Sequence, residues 1–197
     1  MNAAAQASAI SGVRYGAVQR FADERGSFRE LWRESAVASI ATAGAGAPPG
    51  SRPRFVQANL STSSVGVLRG LHLHRRQLDR WIVATGRAFV ALVDVRPMLA
   101  GGGLPDVETR ELGADDWVEI PVGVAHGFLA LEPLDLVYLV TTEYDGSDEH
   151  GFAWDDRLAA VPWPDVSGAP DGRPILSQRD RTNPSLEDLV ARLRSTA

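Results

Sequence analysis

Short strand-like segments run through most of the chain, with turn-forming residues between them, and residues 55–61 alternate clearly between apolar and polar positions. Alternation with a period of two is typical of half-buried β-strands, and a series of short strands is typical of a sandwich or barrel. The pattern therefore predicts an all-β domain. The predicted strands span residues 13–20, 27–32, 55–61, 66–72, 80–96 with a break at Gly86, 107–112, 117–120, 127–131 and 134–142.

The C-terminus carries the one predicted helix. Ser185 is an N-cap residue, and Asp188 follows it at the spacing at which a carboxylate supports a helix start. The helical period then places four apolar residues on one face, namely Leu186, Leu189, Val190 and Leu193.

The remaining segments favour irregular structure. Residues 1–12 are small and uncharged and lack the basic start and long apolar stretch of a secretory signal, so they predict a disordered leader before a single domain over 13–197. Residues 36–53 are rich in Ala, Gly and Pro and predict a surface loop or frayed helix. Residues 98–104 and 164–174 predict loops.

Composition excludes several classes of function. The chain has 197 residues and no cysteine, which excludes disulfides, thiolate metal sites and cysteine nucleophiles. All 20 basic residues are arginine, so no lysine can form a Schiff base or serve a P-loop. A net charge of −5 argues against binding to nucleic acid or an anionic membrane, and no apolar run is long enough to span a bilayer. Cytoplasmic residence is the default expectation.

Three of the four histidines occupy informative positions. His72 and His74 are two residues apart, so on a strand both side chains point the same way. If the chain turns back after His74, Asp79 returns to that face. A Pro-x-Gly turn at 121–123 precedes His126, which predicts that His126 enters a new strand opposite the first pair.

Segments 66–86 and 121–126 resemble the paired motifs of the cupin superfamily, with Asp79 where a glutamate is usual. The resemblance implies a cupin-type jelly-roll β-barrel. A closer resemblance spans residues 13–186, on the ordered segments 23–26 (DERG), 55–59 (FVQAN), 67–72 (VLRGLH), 93–96 (VDVR), 120–128 (IPVGVAHGF) and 176–180 (LSQRD). Together they resemble the dTDP-4-dehydrorhamnose 3,5-epimerase family. This implies inversion of C3, C5 or both in a dTDP-4-keto-6-deoxyhexose, a nucleotide-sugar substrate, a homodimer and no cofactor.

The resemblance assigns catalytic roles to three residues. His72 matches the base that removes a proton from carbon next to the ketone, and Asp180 matches the carboxylate that orients it. Tyr138 matches the acid that returns a proton. An acid and a base are the groups that this chemistry requires.

The resemblance also implies substrate-binding residues. A diphosphate is well matched by the forked guanidinium of arginine. Phe28 and Glu30 match residues that contact the nucleotide, partly across the dimer. The implied binding residues are Arg25, Phe28, Glu30, Gln57, Asn59, Arg69, His126, Tyr144 and Glu149.

Asp79 departs from the family pattern, in which a lysine follows the glutamine by two residues and holds the keto oxygen of the substrate. Asp79, together with His74 at a position where the family tends to have glutamine, supports an alternative function, a metal-binding cupin or a non-catalytic sugar-nucleotide-binding relative. Its ligands for a divalent transition metal would be three imidazoles and one carboxylate, from His72, His74, Asp79 and His126. Either a cation lies among these groups, or Asp79 turns away to pair with Arg76 or Arg80.

Overall fold

Strands dominate the computed structural model, which describes residues 6–36, 54–166 and 172–196. The strands are β1 (Gln6–Ala7), β2 (Arg14–Ala17), β3 (Arg20–Asp23), β4 (Gly26–Arg29), β5 (Gln57–Ser63), β6 (Leu68–Leu73), β7 (Asp79–Thr85), β8 (Arg87–Asp94), β9 (Asp106–Gly113), β10 (Asp116–Ile120), β11 (Val124–Ala130), β12 (Leu134–Val140) and β13 (His150–Gly151). The helices are α1 (Arg96–Leu99), α2 (Gln178–Arg181) and α3 (Leu186–Ser195), and Glu34–Ala36 form a 3-10 turn.

Two antiparallel sheets form the body of the fold. One has six strands in the order β1-β2-β10-β7-β12-β5, and the other has five in the order β13-β6-β11-β8-β9. The hairpin β3-β4 stands apart as a two-stranded sheet. Neighbours in each main sheet are often distant in sequence, as in a jelly roll. This confirms the predicted all-β barrel of cupin type with a short C-terminal helix.

The main core lies between the two sheets. Residues at alternate positions of β7 and β12, such as Trp81, Val83 and Leu136, pack against Val90 and Phe128 of the facing sheet. Period-two alternation produces this arrangement because successive side chains of a strand point to opposite faces.

Helix α3 covers the outer face of the five-stranded sheet. Its N-cap forms as predicted, with the backbone N–H of Asp188 donating to Ser185 Oγ at 3.1 Å. The predicted apolar face is buried against β6, β8 and β11 through Leu186, Leu189, Val190 and Leu193. The amphipathic pattern is confirmed.

The prediction of a disordered leader is wrong for residues 6–12. Gln6–Ala7 pair with β2, Ile10 is buried in the core, and Ser8 Oγ donates to Glu108 at 2.5 Å. A segment of small residues can therefore be ordered by edge pairing and one apolar anchor. Residues 1–5 lie outside the described residues.

Other boundaries also differ from the prediction. The first predicted strand ends at Ala17, because the chain bends there and starts the separate hairpin at Arg20. Besides β1 and the 3-10 turn, sequence reasoning missed the short elements α1, α2 and β13, because two to four residues are too few to show a periodic pattern. The predicted loop or frayed helix at 36–53 lies almost wholly outside the described residues, as does the centre of 164–174.

Within the described parts of the chain, no helix is both long enough and apolar enough to cross a membrane.

Candidate active site

A cavity of about 400 Å³ lies between the two sheets and collects most of the predicted site residues. A larger cavity of about 830 Å³, next to Trp163 and Ile175, contains none of them. The smaller cavity is lined by Gln57, Asn59, Ser61, Arg69, His72, His74, Gln77, Asp79, Trp81, His126, Phe128, Leu136, Tyr138, Val140, Tyr144, Glu149 and Arg179.

The wall formed by the six-stranded sheet follows from strand register. Tyr138 lies opposite Asn59 on one side and opposite Trp81 on the other. Val140 lies likewise between Gln57 and Asp79, one step along the same face. Because alternate residues share a face, two neighbouring rows of side chains point into the cavity together.

The wall formed by β6 depends on an irregularity at Gly70. His126 pairs with His72 and Phe128 pairs with Arg69, so two residues of β6 oppose one residue of β11. Gly70 has a φ of +136°, and a Cβ there would lie 2.6 Å from the Cα of Gly127. The bulge breaks the alternation and brings Arg69 and His72, three residues apart, to the same cavity.

His72 and Asp180 form a hydrogen-bonded pair at the cavity wall. His72 Nε2 lies 2.8 Å from Oδ1 of Asp180, and Ser177 Oγ donates to Oδ2 at 2.9 Å. Burial raises the pKa of the Asp180 carboxyl, but the hydrogen bonds from His72 and Ser177 and the charges of His72 and Arg179 outweigh it and hold the pKa below its usual value. The ionised carboxylate therefore accepts Nε2–H, which leaves Nδ1 of His72 to accept a proton.

Tyr138 reaches the cavity from the opposite sheet and is half-buried. Burial raises the pKa of its phenol, and the negative charges of Asp79 and Glu149 raise it further. The charge of Arg69 opposes this shift without cancelling it. Tyr138 is therefore a protonated donor at neutral pH.

Three of the four residues of the alternative metal set come together. One ligand atom each from His74, Asp79 and His126 lie within 4.8 Å of one another, and all three residues are buried. His72 is not in this group, because its Nε2 contacts Asp180. Burial lowers the pKa of His126 to about 4, although the charge of Asp79 opposes the shift, so the ring is neutral at physiological pH.

The expectation that Asp79 pairs with Arg76 or Arg80 is wrong. Arg80 Nη1 donates to Glu119 at 3.0 Å, and Arg76 Nη2 donates to Ser147 Oγ at 2.5 Å. Asp79 instead accepts from the side chains of Gln77 and Trp81, its neighbours in sequence.

Predicted binding residues supply polar groups around this centre. Gln57 Nε2 donates to Asn59 Oδ1 at 2.8 Å, while Gln57 Oε1 accepts from the backbone N–H of Tyr144 at 2.9 Å. Glu149 forms an ion pair with Arg179 at 2.7 Å. Arg69 donates to the neutral oxygens of Ser63 and Thr62 and makes no ion pair within the described residues, so its charge is available to an anion.

The three remaining predicted residues lie elsewhere in this chain. Arg25 is at the tip of hairpin β3-β4, where it pairs with Asp23 at 2.5 Å. Phe28 is 68% exposed, and Glu30 pairs with Arg33 just after the hairpin. None of the three lines the cavity.

Sequence reasoning missed several lining residues. Most of them stand two positions from a predicted site residue on the same strand, so strict use of the period-two rule would have found them. These are Ser61, Trp81, Phe128, Leu136 and Val140. Gln77 and Arg179 lie in a turn and a short helix, for which no periodicity was available.

Comparison with known proteins gives consistent matches over most of the chain. Residues 7–188 match the family model described as dTDP-4-dehydrorhamnose 3,5-epimerase. The dTDP-4-dehydrorhamnose 3,5-epimerase of Escherichia coli (strain K12) is 34% identical over 174 residues, which are 86% of this chain and 87% of that protein.

Solved structures agree with the sequence matches. The rmlC epimerase of Mycobacterium tuberculosis superposes with a TM-score of 0.79 at 31% identity, covering 98% of this chain and 92% of that one. ChmJ of Streptomyces bikiniensis, described as a 3'-monoepimerase in complex with dTDP-quinovose, gives a TM-score of 0.73 at 26% identity, covering 94% and 88%.

Proposed function

The chain belongs to the dTDP-4-dehydrorhamnose 3,5-epimerase family, and from this premise we propose how its cavity performs the reaction. It is an isomerase of deoxysugar biosynthesis that acts on a dTDP-linked 4-keto-6-deoxyhexose. It inverts C3, C5 or both by removing and returning a proton next to the ketone. The observation that carries the proposed mechanism is that His72, which is hydrogen-bonded to Asp180, and Tyr138 line one cavity from opposite sheets.

His72 is the base. Its Nδ1 takes the proton from the carbon next to the ketone, and the electron pair of the C–H bond forms an enolate. Asp180 accepts Nε2–H at 2.8 Å, which orients the ring and stabilises the imidazolium that results. Ser177 holds the second oxygen of Asp180, so the carboxylate is fixed from both ends.

Tyr138 is the acid. Inversion requires that the proton return to the face opposite the one from which it left. His72 lies on β6 of the five-stranded sheet and Tyr138 on β12 of the six-stranded sheet, so a sugar ring between the sheets has one group on each face. The raised pKa of Tyr138 keeps its proton available. The opposed placement is the geometric requirement for inversion.

The nucleotide-sugar is held by the polar rim of the cavity. Arg69 pairs with no carboxylate among the described residues, so we assign it to the diphosphate. Gln57, Asn59, Tyr144 and Glu149 supply hydrogen-bonding groups around the sugar. His126 lines the same wall, within reach of Asp79.

The hairpin residues serve a neighbouring subunit in this proposal. Arg25, Phe28 and Glu30 lie outside the cavity of their own chain, and Phe21 and Phe28 expose 53% and 68% of their surface there. A homodimer would cover these rings and place the hairpin against the partner's cavity. Light scattering on the purified chain is expected to give twice the 21.2 kDa of one chain, and a mass of 21.2 kDa would contradict the dimer.

Incubation with the dTDP-linked 4-keto sugar in deuterated water tests the function. Each carbon that is deprotonated acquires solvent deuterium, so NMR spectroscopy of the product identifies C3, C5 or both. Incorporation at either carbon above a control without enzyme supports the proposal. Absence of deuterium at both carbons at high enzyme concentration would overturn it.

A further inference from the structure

The wall of the cavity next to His72 contains three buried side chains with metal-ligating atoms. They are His74, Asp79 and His126, and one ligand atom from each lies within 4.8 Å of the other two. His126 Nε2 lies 3.7 Å from Asp79 Oδ2, and the two imidazole centroids are 5.3 Å apart. His74 directly follows β6, Asp79 is the first residue of β7, and His126 lies within β11.

Both imidazoles have their Nδ1 nitrogens committed to backbone carbonyls. His74 Nδ1 lies 2.8 Å from the carbonyl oxygen of Asp148, and His126 Nδ1 lies 3.1 Å from that of Val124. A carbonyl oxygen only accepts hydrogen bonds, so each Nδ1 carries the proton and each Nε2 presents a lone pair. A hydrogen bond of this kind fixes the tautomer in most metal-binding histidines.

The loop that carries His74 is held in place independently. The Asp148 carboxylate accepts from the backbone N–H groups of Arg75, Arg76 and Gln77, at 2.9, 2.9 and 3.3 Å. The chain reversal between His74 and Asp79 is therefore clamped by the same residue whose carbonyl orients His74. This is a supporting layer around the three candidate ligands.

Asp79 is a buried carboxylate without a cation partner among the described residues. Its Oδ1 accepts from Gln77 Nε2 at 2.7 Å and its Oδ2 accepts from Trp81 Nε1 at 3.2 Å. Both donors are neutral, and the nearby Arg80 pairs with Glu119. The carboxylate lies close to the Nε2 side of the two imidazoles, and the three described side chains donate no hydrogen bond to one another. Burial of this arrangement is costly unless a cation or a proton joins it.

We propose that His74, Asp79 and His126 bind one divalent first-row transition-metal ion through two Nε2 atoms and one carboxylate oxygen. Two imidazoles and one carboxylate are a donor set that such ions accept while keeping open coordination positions. Atoms bound to one ion at about 2.0–2.2 Å lie roughly 3–4 Å from one another, so the three side chains need to close in only slightly.

The three proposed ligands line the cavity that His72 and Tyr138 also line. The ion would lie at the keto oxygen of the substrate, and this assignment rests on the proposed function. When His72 removes the proton, the C–H electron pair forms the carbon–carbon double bond of the enolate, and the carbonyl π pair moves to the oxygen. A metal ion bound by these residues would supply a Lewis acid there and would neutralise the developing charge. His72 remains free to act as the base because it is not a ligand.

The full chain, purified without chelator or nickel resin, tests the site. After dialysis against chelator and then buffer, isothermal titration with Zn²⁺ and Co²⁺ is expected to give about one equivalent per chain, and Co²⁺ is expected to develop visible d–d absorption. Asp79→Asn and His126→Gln should lower the affinity for Zn²⁺ at least tenfold. His150→Gln, a histidine outside the cavity, should leave it unchanged.

Circular dichroism and thermal unfolding of each variant separate loss of a ligand from loss of the fold. If His126→Gln does not fold, Asp79→Asn and the stoichiometry of the unmodified chain still decide the matter. Less than a tenth of an equivalent of metal bound by the unmodified chain overturns the proposal, as does unchanged affinity in a folded Asp79→Asn variant.

The metal site and its role at the keto oxygen can be contradicted separately. Deuterium incorporation into the substrate by a chain that binds no metal would retain the epimerase function and overturn the metal site. Metal binding by the three residues with the same exchange rate in chelated and reloaded enzyme would retain the site and overturn its role at the keto oxygen.

Discussion

His72 Nε2 lies 2.8 Å from Asp180 Oδ1, although 108 residues separate the two in sequence. The pair forms because the bulge at Gly70 turns His72 toward the cavity and because α2 carries Asp180 to the edge of β6. Ser177, the N-cap of α2, accepts from the backbone N–H of Asp180 and donates to its carboxylate. A four-residue helix thereby holds the carboxylate that orients the proposed base.

Substitution of His72 tests the assigned base. We expect His72→Gln to lower kcat by about 10²–10⁴-fold, the range that general acid–base catalysis usually contributes. His150→Gln, the same replacement outside the cavity, should keep the rate within about twofold. Steady-state kinetics on the 4-keto sugar measures both. Equal losses in the two variants would point to a general effect on folding.

Substitution of Tyr138 tests the two-face geometry. Without the phenol, His72 still removes a proton but can return it only to the face from which it came. We expect Tyr138→Phe to incorporate solvent deuterium into the substrate while forming little inverted product. The ratio of deuterium exchange to inversion, followed by NMR, should therefore rise at least tenfold over that of the unmodified enzyme. A parallel loss of exchange and inversion contradicts the assignment.

The ionisation of Tyr138 gives a spectroscopic prediction. Its phenol pKa is raised by burial and by the charges of Asp79 and Glu149. The absorbance of phenolate, recorded as the difference between the unmodified chain and Tyr138→Phe, should therefore develop only above about pH 10, the value of an unperturbed tyrosine. A transition below this pH would mean that the phenol is not held protonated.

Asp180 gives a pH-dependent prediction for stability. Burial raises the pKa of its carboxyl, but the hydrogen bond and charge of His72 lower it more, so the pKa in the folded chain lies below that in the unfolded chain. The stabilisation is thus present above the unfolded pKa of about 3.9 and is lost as the pH falls through the folded value.

Asp180→Asn removes this contribution at every pH. The difference in melting temperature between the unmodified chain and Asp180→Asn should accordingly begin to narrow below about pH 5 and continue to narrow as the pH falls through the folded pKa. Calorimetry at several pH values measures it. A difference that stays constant over this range would show that ionisation of Asp180 is not coupled to folding.

Gly70 is predicted to tolerate no side chain. It combines a φ of +136° with a Cβ position 2.6 Å from the Cα of Gly127. Strain at such a φ alone costs about 1–3 kcal/mol, and the backbone clash adds to it. We expect Gly70→Ala to destabilise the chain by more than about 3 kcal/mol or to prevent folding.

Two matched variants separate strain from crowding at Gly70. Gly26 has a φ of +131° with no atom near its Cβ position, so Gly26→Ala should show the strain alone. Gly102 has neither feature, so Gly102→Ala should change the free energy of unfolding by less than about 0.5 kcal/mol. Denaturant titration of the three variants measures the free energy of unfolding of each. The explanation fails if Gly70→Ala is no worse than Gly26→Ala.

Features encoded over a few neighbouring residues were predictable from sequence. The strand-like apolar segments and the break at Gly86 placed β7, β8 and β12 to within two residues, because these signals are local properties of the sequence. The cap at Ser185 and the apolar face of α3 are local in the same sense. The Pro-x-Gly turn before His126 correctly predicted a strand that pairs His126 with His72.

The resemblance to a known family predicted a long-range contact that periodicity could not predict. It predicted that Asp180 serves His72, and the hydrogen bond between them confirms their contact. No local pattern contains that contact, because α2 is four residues long and lies far from β6 in sequence. The catalytic roles of the two residues stay predictions until the variants are measured.

Only the tertiary structure decided which side chains of the site contact one another. Alternation by itself puts Arg69 and His72 on opposite faces, and the bulge opposite Gly127 reverses this because backbone packing between β6 and β11 imposes it. From sequence spacing alone, His72 and His74 were equally good candidates for metal ligands. In the folded chain His72 is hydrogen-bonded to Asp180, whereas His74 lies close to Asp79 and His126. Arg80 likewise forms an ion pair with Glu119, which is distant in sequence, and not with its near neighbour Asp79. The sequence by itself determined the strands and the stock of chemical groups. Which of these groups form hydrogen bonds or ion pairs with one another depended on which groups the folded sheets bury together. A buried charge is costly without a partner, and packing determines which partner lies within reach.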